Sequence, residues 1–292
     1  MKMPFALNKM LKRKNMHPVF IVLIVILAVF LLALLLMLYM IYPGKKRPEM
    51  EKFKAYRYAH RGLHDKDKAE NSMSAFAAAK EMGFGIELDV RLSKDGELVV
   101  FHDDNLSRVV GKEGKVIDFT AEELAGMSLC ATADGVPTFR QVLDLIDGAV
   151  PLIIEIKMHG DEKGVSEKLV EVLEGYKGDY VVESFNPIAL KIVRKLRPDI
   201  LRGILSMEYL KQEKHKGKLL YALLQHLMLN FMVRPDFIAY EKTGYAVKGL
   251  RFVRRNFGTA LVTWTVKSKE EEAAAISHGF DAVIFEGYIP EK

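Results

Sequence analysis

What most restricts the fold of this chain is a rhythm. From Tyr56 onward, short strand-like runs alternate with segments of helical periodicity. The strand-like runs are Tyr56–His60, Gly85–Leu92, Leu152–Lys157, Tyr180–Phe185, Ile200–Leu205, Phe237–Glu241, Ala260–Val266 and Asp281–Glu286. Helical patterns lie between most of them, at Ser72–Met82, Val165–Tyr176, Pro187–Leu196, Tyr245–Asn256 and Lys269–His278. Eight strands alternating with helices over about 250 residues predict an α/β fold of the (β/α)8 TIM-barrel type. A doubly wound open sheet is the alternative. Glu97–His102, entered through the turn Ser93-Lys94-Asp95-Gly96, is a further short strand that competes for a place in the count.

Ahead of this rhythm, Val19–Tyr42 contains no charged residue. At about 1.5 Å per residue it is long enough for a bilayer core of roughly 30 Å. A cleaved signal peptide would have an apolar core of about 7–15 residues and a small-residue cleavage site; Ile41-Tyr42-Pro43-Gly44-Lys45 offers none. The expected organisation is a basic segment over 1–18, a transmembrane helix over 19–42, a polar linker over 43–55 and a barrel over 56–292. Lys2, Lys9, Lys12, Arg13 and Lys14 precede the span, and Lys45, Lys46 and Arg47 follow it. The slight bias predicts the N-terminus inside and the barrel on the extracytoplasmic side. The whole chain carries 43 Lys+Arg against 38 Asp+Glu, which fits an anionic membrane surface better than nucleic acid. A single cysteine, Cys130, excludes an internal disulfide framework. Residues 219–233 are uncharged, too short to span, and preceded by Lys211, Lys214, Lys216 and Lys218. They predict a helix that either packs on the barrel or rests on membrane lipid.

Ionisable residues fall at strand ends, where barrel enzymes keep their sites. Glu87 and Asp89 are two apart on one strand and share a face; Glu155 and Lys157 repeat the pattern. Inward-facing carboxylates repel unless a cation or proton stands between them, so Glu87, Asp89 and Glu155 predict a site for a divalent metal. An all-oxygen set suits Mg2+ or Ca2+ better than zinc. The rival reading is that Glu155 and Lys157 only pair with each other or with loop residues. His60 and His102, at strand ends beside these acids, suit general acid–base work. Arg61 and Lys157 supply positive charge for a phosphate.

The ordered set Ala59-His60-Arg61-Gly62, Ala69-Glu70-Asn71-Ser72, Gly85-Ile86-Glu87-Leu88-Asp89-Val90, Asp95-Gly96 and Val100-Phe101-His102-Asp103 resembles the glycerophosphodiester phosphodiesterases. Glu155-Ile156-Lys157, Ser184-Phe185 and Trp264-Thr265-Val266 extend the likeness. The resemblance implies a TIM barrel hydrolysing phosphodiesters of glycerol 3-phosphate. It implies His60 and His102 as the acid–base pair, Glu87, Asp89 and Glu155 as metal ligands, and Arg61 as the phosphate-binding arginine. Lys157 would be a second cationic contact, Glu70 and Asn71 supporting residues, and Trp264 a residue lining the pocket. Three departures at the rim are Ala69, Lys267 and Glu286. The attacking oxygen is either water or a neighbouring glycerol hydroxyl acting through a cyclic phosphate. Two other functions remain to be weighed: hydrolysis of lysophospholipids or related lipid diesters, and an idle, membrane-tethered binding barrel.

Overall fold

The structure, a computed structural model, describes residues 18–157 and 160–291. Lys2, Lys9, Lys12, Arg13, Lys14 and His159 lie outside the described residues. The chain forms two compact units, divided between Met40 and Ile41. The first contains nearly all of helix α1 (Pro18–Ile41), 24 residues long. Its side chains are exposed from Pro18 to Met37. A helix apolar on every side has no core-facing stripe, and this one is long and apolar enough to cross a bilayer.

The second unit runs β1 (Arg57–His60), α3 (Met73–Glu81), β2 (Gly85–Leu92), β3 (Leu98–Val100), α4 (Ala121–Ala125), α5 (Phe139–Ile146), β4 (Leu152–Ile156) and α6 (Glu162–Val172). It continues with β5 (Tyr180–Ser184), α7 (Pro187–Leu196), β6 (Arg202–Ser206), α8 (Leu219–Gln225), α9 (Asn230–Val233) and β7 (Phe237–Glu241). The last elements are α10 (Lys248–Phe257), β8 (Ala260–Val266), α11 (Lys269–Ser277) and β9 (Ala282–Phe285); a short α2 (Glu51–Lys54) precedes β1. Eight strands pair in parallel in the order β1-β9-β8-β7-β6-β5-β4-β2, and β1 pairs with β2 to close the barrel. The strand over residues 98–100 does not compete for a place. It pairs antiparallel with β2, outside the ring.

Parallel strands covered on both faces read as nearly unbroken apolar runs, and all residues of β2 and β4 are buried. Leu88 and Val90 point outward, into the layer shared with Phe76, Phe139 and Leu169 of the surrounding helices. Tyr58, Ile153, Val181, Phe237 and Ala260 point inward and form an apolar floor. Gly85 and Gly203 make room for it: a Cβ would stand 2.6 Å from the Tyr58 ring at the first and 2.2 Å from the Phe237 ring at the second. Side chains repeat every second residue, so the layer above Tyr58, Ile153 and Val181 is His60, Glu155 and Glu183. The floor is apolar and the mouth is ionic because each strand changes character after two residues.

The stretch expected as a polar linker is part of the floor. Residues 48–54 form two short helical segments that bury Met50 and Phe53 among the inward-facing side chains. Arg47 pairs with Asp236 at 2.9 Å and donates to the carbonyls of Pro198 and Asp199. Asn230 Nδ2 donates to the Ile41 carbonyl at 2.9 Å, and Arg234 Nη1 to that of Tyr42 at 2.6 Å. The many charges around Met50 and Phe53 hide a pair of buried anchors three residues apart.

Residues 219–233 do not form one helix. They break after Gln225 because Leu227, in the left-handed conformation at φ 62°, is buried in the core, and Asn230 turns to reach Ile41. Leu219 and Leu220 remain exposed at the start of α8. Between β2 and β4 the chain makes an excursion with its own small core of Val99, Phe101, Leu106, Val116, Leu124 and Leu129, and this carries His102 to the mouth.

Phe53→Ala should lower stability by about 3–5 kcal/mol, the usual cost of emptying an aromatic site in a core. Catalytic turnover per folded molecule should stay at the parent value, since Phe53 sits in the floor. Chemical denaturation in detergent alongside turnover checks both.

Candidate active site

The site begins where β1 ends. After His60, Arg61 and later Asn71 take the left-handed backbone conformation, at φ 57° and 56°, which persists only where neighbours hold it. Here the Arg61 N–H donates to Glu87 Oε2 at 3.0 Å, and the Asn71 N–H donates to the Arg61 carbonyl at 2.9 Å. Gly62, at φ 81°, lets this turn lie against α3; a Cβ there would meet Ala75 and Phe76 at 2.9 Å. Ser72 caps α3 by accepting from the Ala75 N–H, which fixes Asn71 just before it.

Glu87, Asp89 and Glu155 are buried, and their carboxylate oxygens lie within 4.8 Å of one another. The register of β2 on β4 sets Asp89 beside Glu155. Lys157 Nζ stands 2.9 Å from Asp89 and 2.7 Å from Glu155. Arg61 Nε is 3.5 Å from Asp89, and its Nη1 donates to Glu70 at 2.7 Å. Asn71 Nδ2 donates to Asp89 at 2.8 Å. Burial, reinforced by Asp89 and Glu155, pushes the Glu87 carboxyl well above the usual range. Burial likewise raises Glu155, against the pull of Lys157. For Asp89 the balance reverses: burial is outweighed by Lys157 and Arg61, and the carboxyl is held well below its ordinary value. Burial also works against the Lys157 ammonium, but Asp89 and Glu155 outweigh it and raise its pKa.

The two histidines face the same cavity, each with one nitrogen occupied. His60 Nδ1 lies 2.6 Å from Glu286 Oε2, and His102 Nδ1 lies 2.6 Å from Asp103 Oδ1. The hydrogen bond from His60 holds Glu286 down at about 2. Burial opposes the ionisation of Asp103, but hydrogen bonds from Arg108 and His102 keep it below the ordinary value. Both carboxylates are therefore ionised acceptors at neutral pH, so each Nδ1 carries the proton and each Nε2 is left for the cavity. Burial lowers His60 against the Glu286 hydrogen bond, and lowers His102 to about 4 against Asp89. Arg108 ties the two sides together by donating to Asp103 at 2.6 Å and to both oxygens of Glu70 at 2.7 Å.

The cavity has an empty volume of about 410 Å³. His60, Arg61, Glu87, His102, Glu155, Lys157 and Trp264 all line it. Asp89, Glu70 and Asn71 stand behind them. Trp264 packs edge-on against Phe185 at 5.5 Å. None of His64, His215, His226 or His278 lines the cavity; His278 stacks on Tyr245, and His215 lies tilted against Tyr221. Four residues of the site escaped the sequence reading of roles: Glu183, Asp103, Arg108 and Glu286. Glu183 carried the same signal as Glu155, a carboxylate interrupting an apolar strand. Glu286 was visible only as a departure at the end of the last strand.

A closed barrel with such a mouth belongs to a recognisable class of enzyme, the phosphoric diester hydrolases built on a TIM barrel. The chain belongs to the glycerophosphoryl diester phosphodiesterase family, whose model it matches over residues 60–287. It is 33% identical over 238 residues to a glycerophosphodiester phosphodiesterase of Caldanaerobacter subterraneus subsp. tengcongensis, covering 77% of this chain and 91% of that protein. A glycerophosphodiester phosphodiesterase structure from Thermotoga maritima is similar, with 27% identity, a TM-score of 0.60, and 79% and 94% of the two chains covered. The fold is also that of an Oleispira antarctica phosphodiesterase in complex with the product sn-glycerol-3-phosphate, at a TM-score of 0.67 and 24% identity, over 80% of this chain and 94% of that one.

The Arg108–Glu70–Arg61 link sets an acid limit on stability. Burial opposes the ionised Glu70, but the two arginines outweigh it and lower its pKa from 4.5 to about 2. A depressed carboxyl stabilises the fold fully above its unfolded value, and the contribution is lost as pH falls through the folded one. Glu70→Gln should therefore be less stable at pH 7, and its stability should fall less steeply than the parent's between pH 4.5 and about 2. Unfolding midpoints in urea across that window check the sign.

Proposed function

We propose that this chain hydrolyses glycerophosphodiesters to glycerol 3-phosphate and an alcohol, with His60 and His102 as the acid–base pair and a divalent cation held by Glu87, Asp89 and Glu155. One observation carries the reading. Two histidines line a single cavity, each with Nδ1 on a separate ionised carboxylate, beside three buried carboxylates. Family membership and the names of its relatives favour glycerophosphodiesters over lysolipids as substrates.

The donor set fits the cation. Glu87, Asp89 and Glu155 are buried, each with a carboxylate oxygen within 4.8 Å of the others, so that three carboxylates converge on one point at the cavity. The raised carboxyls of Glu87 and Glu155 take up protons where positive charge is short. When bound, a divalent ion such as Mg2+ or Ca2+ supplies Lewis-acid charge for the phosphodiester oxygens.

The chain's own groups do the remainder. Arg61 sits at the cavity wall with its guanidinium aimed by Glu70 and Asp89, and binds a non-bridging phosphate oxygen. Lys157 adds a second positive charge. One histidine takes the proton of the attacking oxygen at Nε2 as the new P–O bond forms. The other, protonated, gives its Nε2 proton to the leaving oxygen as the old P–O bond breaks. Glu286 and Asp103 accept from Nδ1 of the two rings, so that base and acid alike work through Nε2. Trp264 lines the wall beside the alcohol groups.

Helix α1 is proposed as an uncleaved anchor in membrane lipid, with residues 41–292 on the extracytoplasmic side. Cys130, the single cysteine, is exposed. A membrane-impermeant maleimide should label it in intact cells; labelling only after lysis would reverse the orientation.

His60→Ala and His102→Ala should each reduce release of glycerol 3-phosphate by at least about 100-fold, while His215→Ala leaves it near the parent value. Near-parental turnover in either of the first two removes that histidine from the mechanism. Chelation should abolish turnover, and Mg2+ or Ca2+ should restore it. Glu87→Gln and Glu155→Gln should weaken Mg2+ binding in calorimetry while the circular dichroism spectrum stays unchanged. Full activity in excess chelator rejects the cation.

A further inference from the structure

Glu183 has no part in the chemistry described above, yet it is the most exacting residue in the cavity wall. It sits on β5 with 1% of its surface exposed, and its Oε2 has no hydrogen-bond partner among the described residues. A carboxyl oxygen left without a partner in an apolar interior is costly, so its retention points to something that enters the cavity and satisfies it. The β4–β5 register sets Glu183 beside Glu155, on the cavity side, one step above the floor residue Val181. Two residues further on, on the same face of the chain, Phe185 holds the Trp264 ring edge-on. The indole Nε1 of Trp264 is also buried without a partner, and its side chain lines the same cavity.

Two unpartnered polar atoms facing one cavity describe their ligand. The indole N–H only donates, and the carboxyl oxygen accepts or, when protonated, donates. A hydroxyl satisfies both kinds of group whatever the proton on Glu183 does. A phosphate oxygen does not suit an ionised carboxylate, and a plain alkyl chain satisfies neither. A cation is the poorer candidate: the carboxylates that converge within ligand distance are Glu87, Asp89 and Glu155, without Glu183.

We propose that Glu183 is a specificity-determining residue that binds a free hydroxyl of the glyceryl group, with Trp264 Nε1 donating to the same polyol, so that the cavity prefers polyol phosphodiesters to diesters lacking hydroxyls. This rests on the glycerophosphodiester reading of the site and adds to it the side chain that recognises the glyceryl hydroxyl.

The test compares two substrates in the full-length protein. Glu183→Met replaces the carboxyl by an apolar side chain of similar length, and Glu183→Gln keeps a hydrogen-bonding group. On glycerophosphoethanolamine, Glu183→Met should lose about tenfold or more in kcat/KM, the scale of one lost hydrogen bond in a closed site, and Glu183→Gln should recover part of it. On bis(4-nitrophenyl) phosphate, which has no hydroxyl, both variants should stay within about twofold of the parent. Mg2+ affinity should be unchanged. Equal losses on both substrates, or a fall in Mg2+ affinity, would assign Glu183 to the general machinery and overturn the proposal. So would parental kcat/KM of Glu183→Met on glycerophosphoethanolamine. If the parent cleaves only the hydroxyl-free diester, that failure belongs to the activity reading. Binding of sn-glycerol 3-phosphate against ethyl phosphate, in the parent and in Glu183→Met, then decides the role of Glu183: a preference for the first that the variant loses upholds it, and no difference between the two proteins rejects it.

Discussion

Everything at the mouth of this barrel follows from one electrostatic constraint: among the described residues, more carboxylates are buried there than cations to balance them. Lys157 bridges Asp89 and Glu155, and Arg61 reaches Asp89 and Glu70. Asp89, which has both cations, stays ionised with ease. Glu87 resists ionisation because burial and its acidic neighbours act together, and Glu155 resists it because burial outweighs the pull of Lys157. The imbalance is a cost to the empty fold and an attraction for positive charge. The left-handed turn at Arg61, the Asn71 side chain and the Ser72 cap all serve to keep this crowd in register.

The histidines sit at the edge of the crowd and are steadied from outside it. Glu286 reaches His60 from the last strand and is itself paired with Lys267 at 3.2 Å. Asp103 holds His102 from within the excursion between β2 and β4, and Arg108 connects that loop to Glu70. Each imidazole thus has a fixed tautomer, and the two sides of the mouth share a chain of charged hydrogen bonds. The departures noted at the rim, Lys267 and Glu286, are partners in this support.

The barrel was legible because its strands are buried on both faces and announce themselves as apolar runs; β2, β7 and β8 begin and end where the pattern places them. The period of two also put Glu87 with Asp89 and Glu155 with Lys157 before any fold was known. What escaped required the third dimension. Helix α5 carried a signal that went unused, the capping box Thr138–Gln141 ahead of Phe139, Val142, Leu143 and Ile146. The floor anchors Met50 and Phe53 were masked by charged neighbours. Glu183 becomes a site residue only once β5 is laid beside β4, and Glu286 only once the ring closes. The break within 219–233 depends on Leu227 finding the core, which no local periodicity encodes.

The contact between His60 and Glu286 spans 226 residues, and that between Ile41 and Asn230 spans 189. The first residues of the barrel to leave the ribosome are thus completed by the last. Closing so long a loop brings its entropic cost before its reward, and His60 has no second carboxylate to orient it until β9 is in place. A chain that stalls or is clipped before residue 282 keeps most of the residues of the mouth yet lacks both the final stave of the ring and the group that sets the His60 tautomer. The orientation of His60 therefore arrives only with closure of the ring.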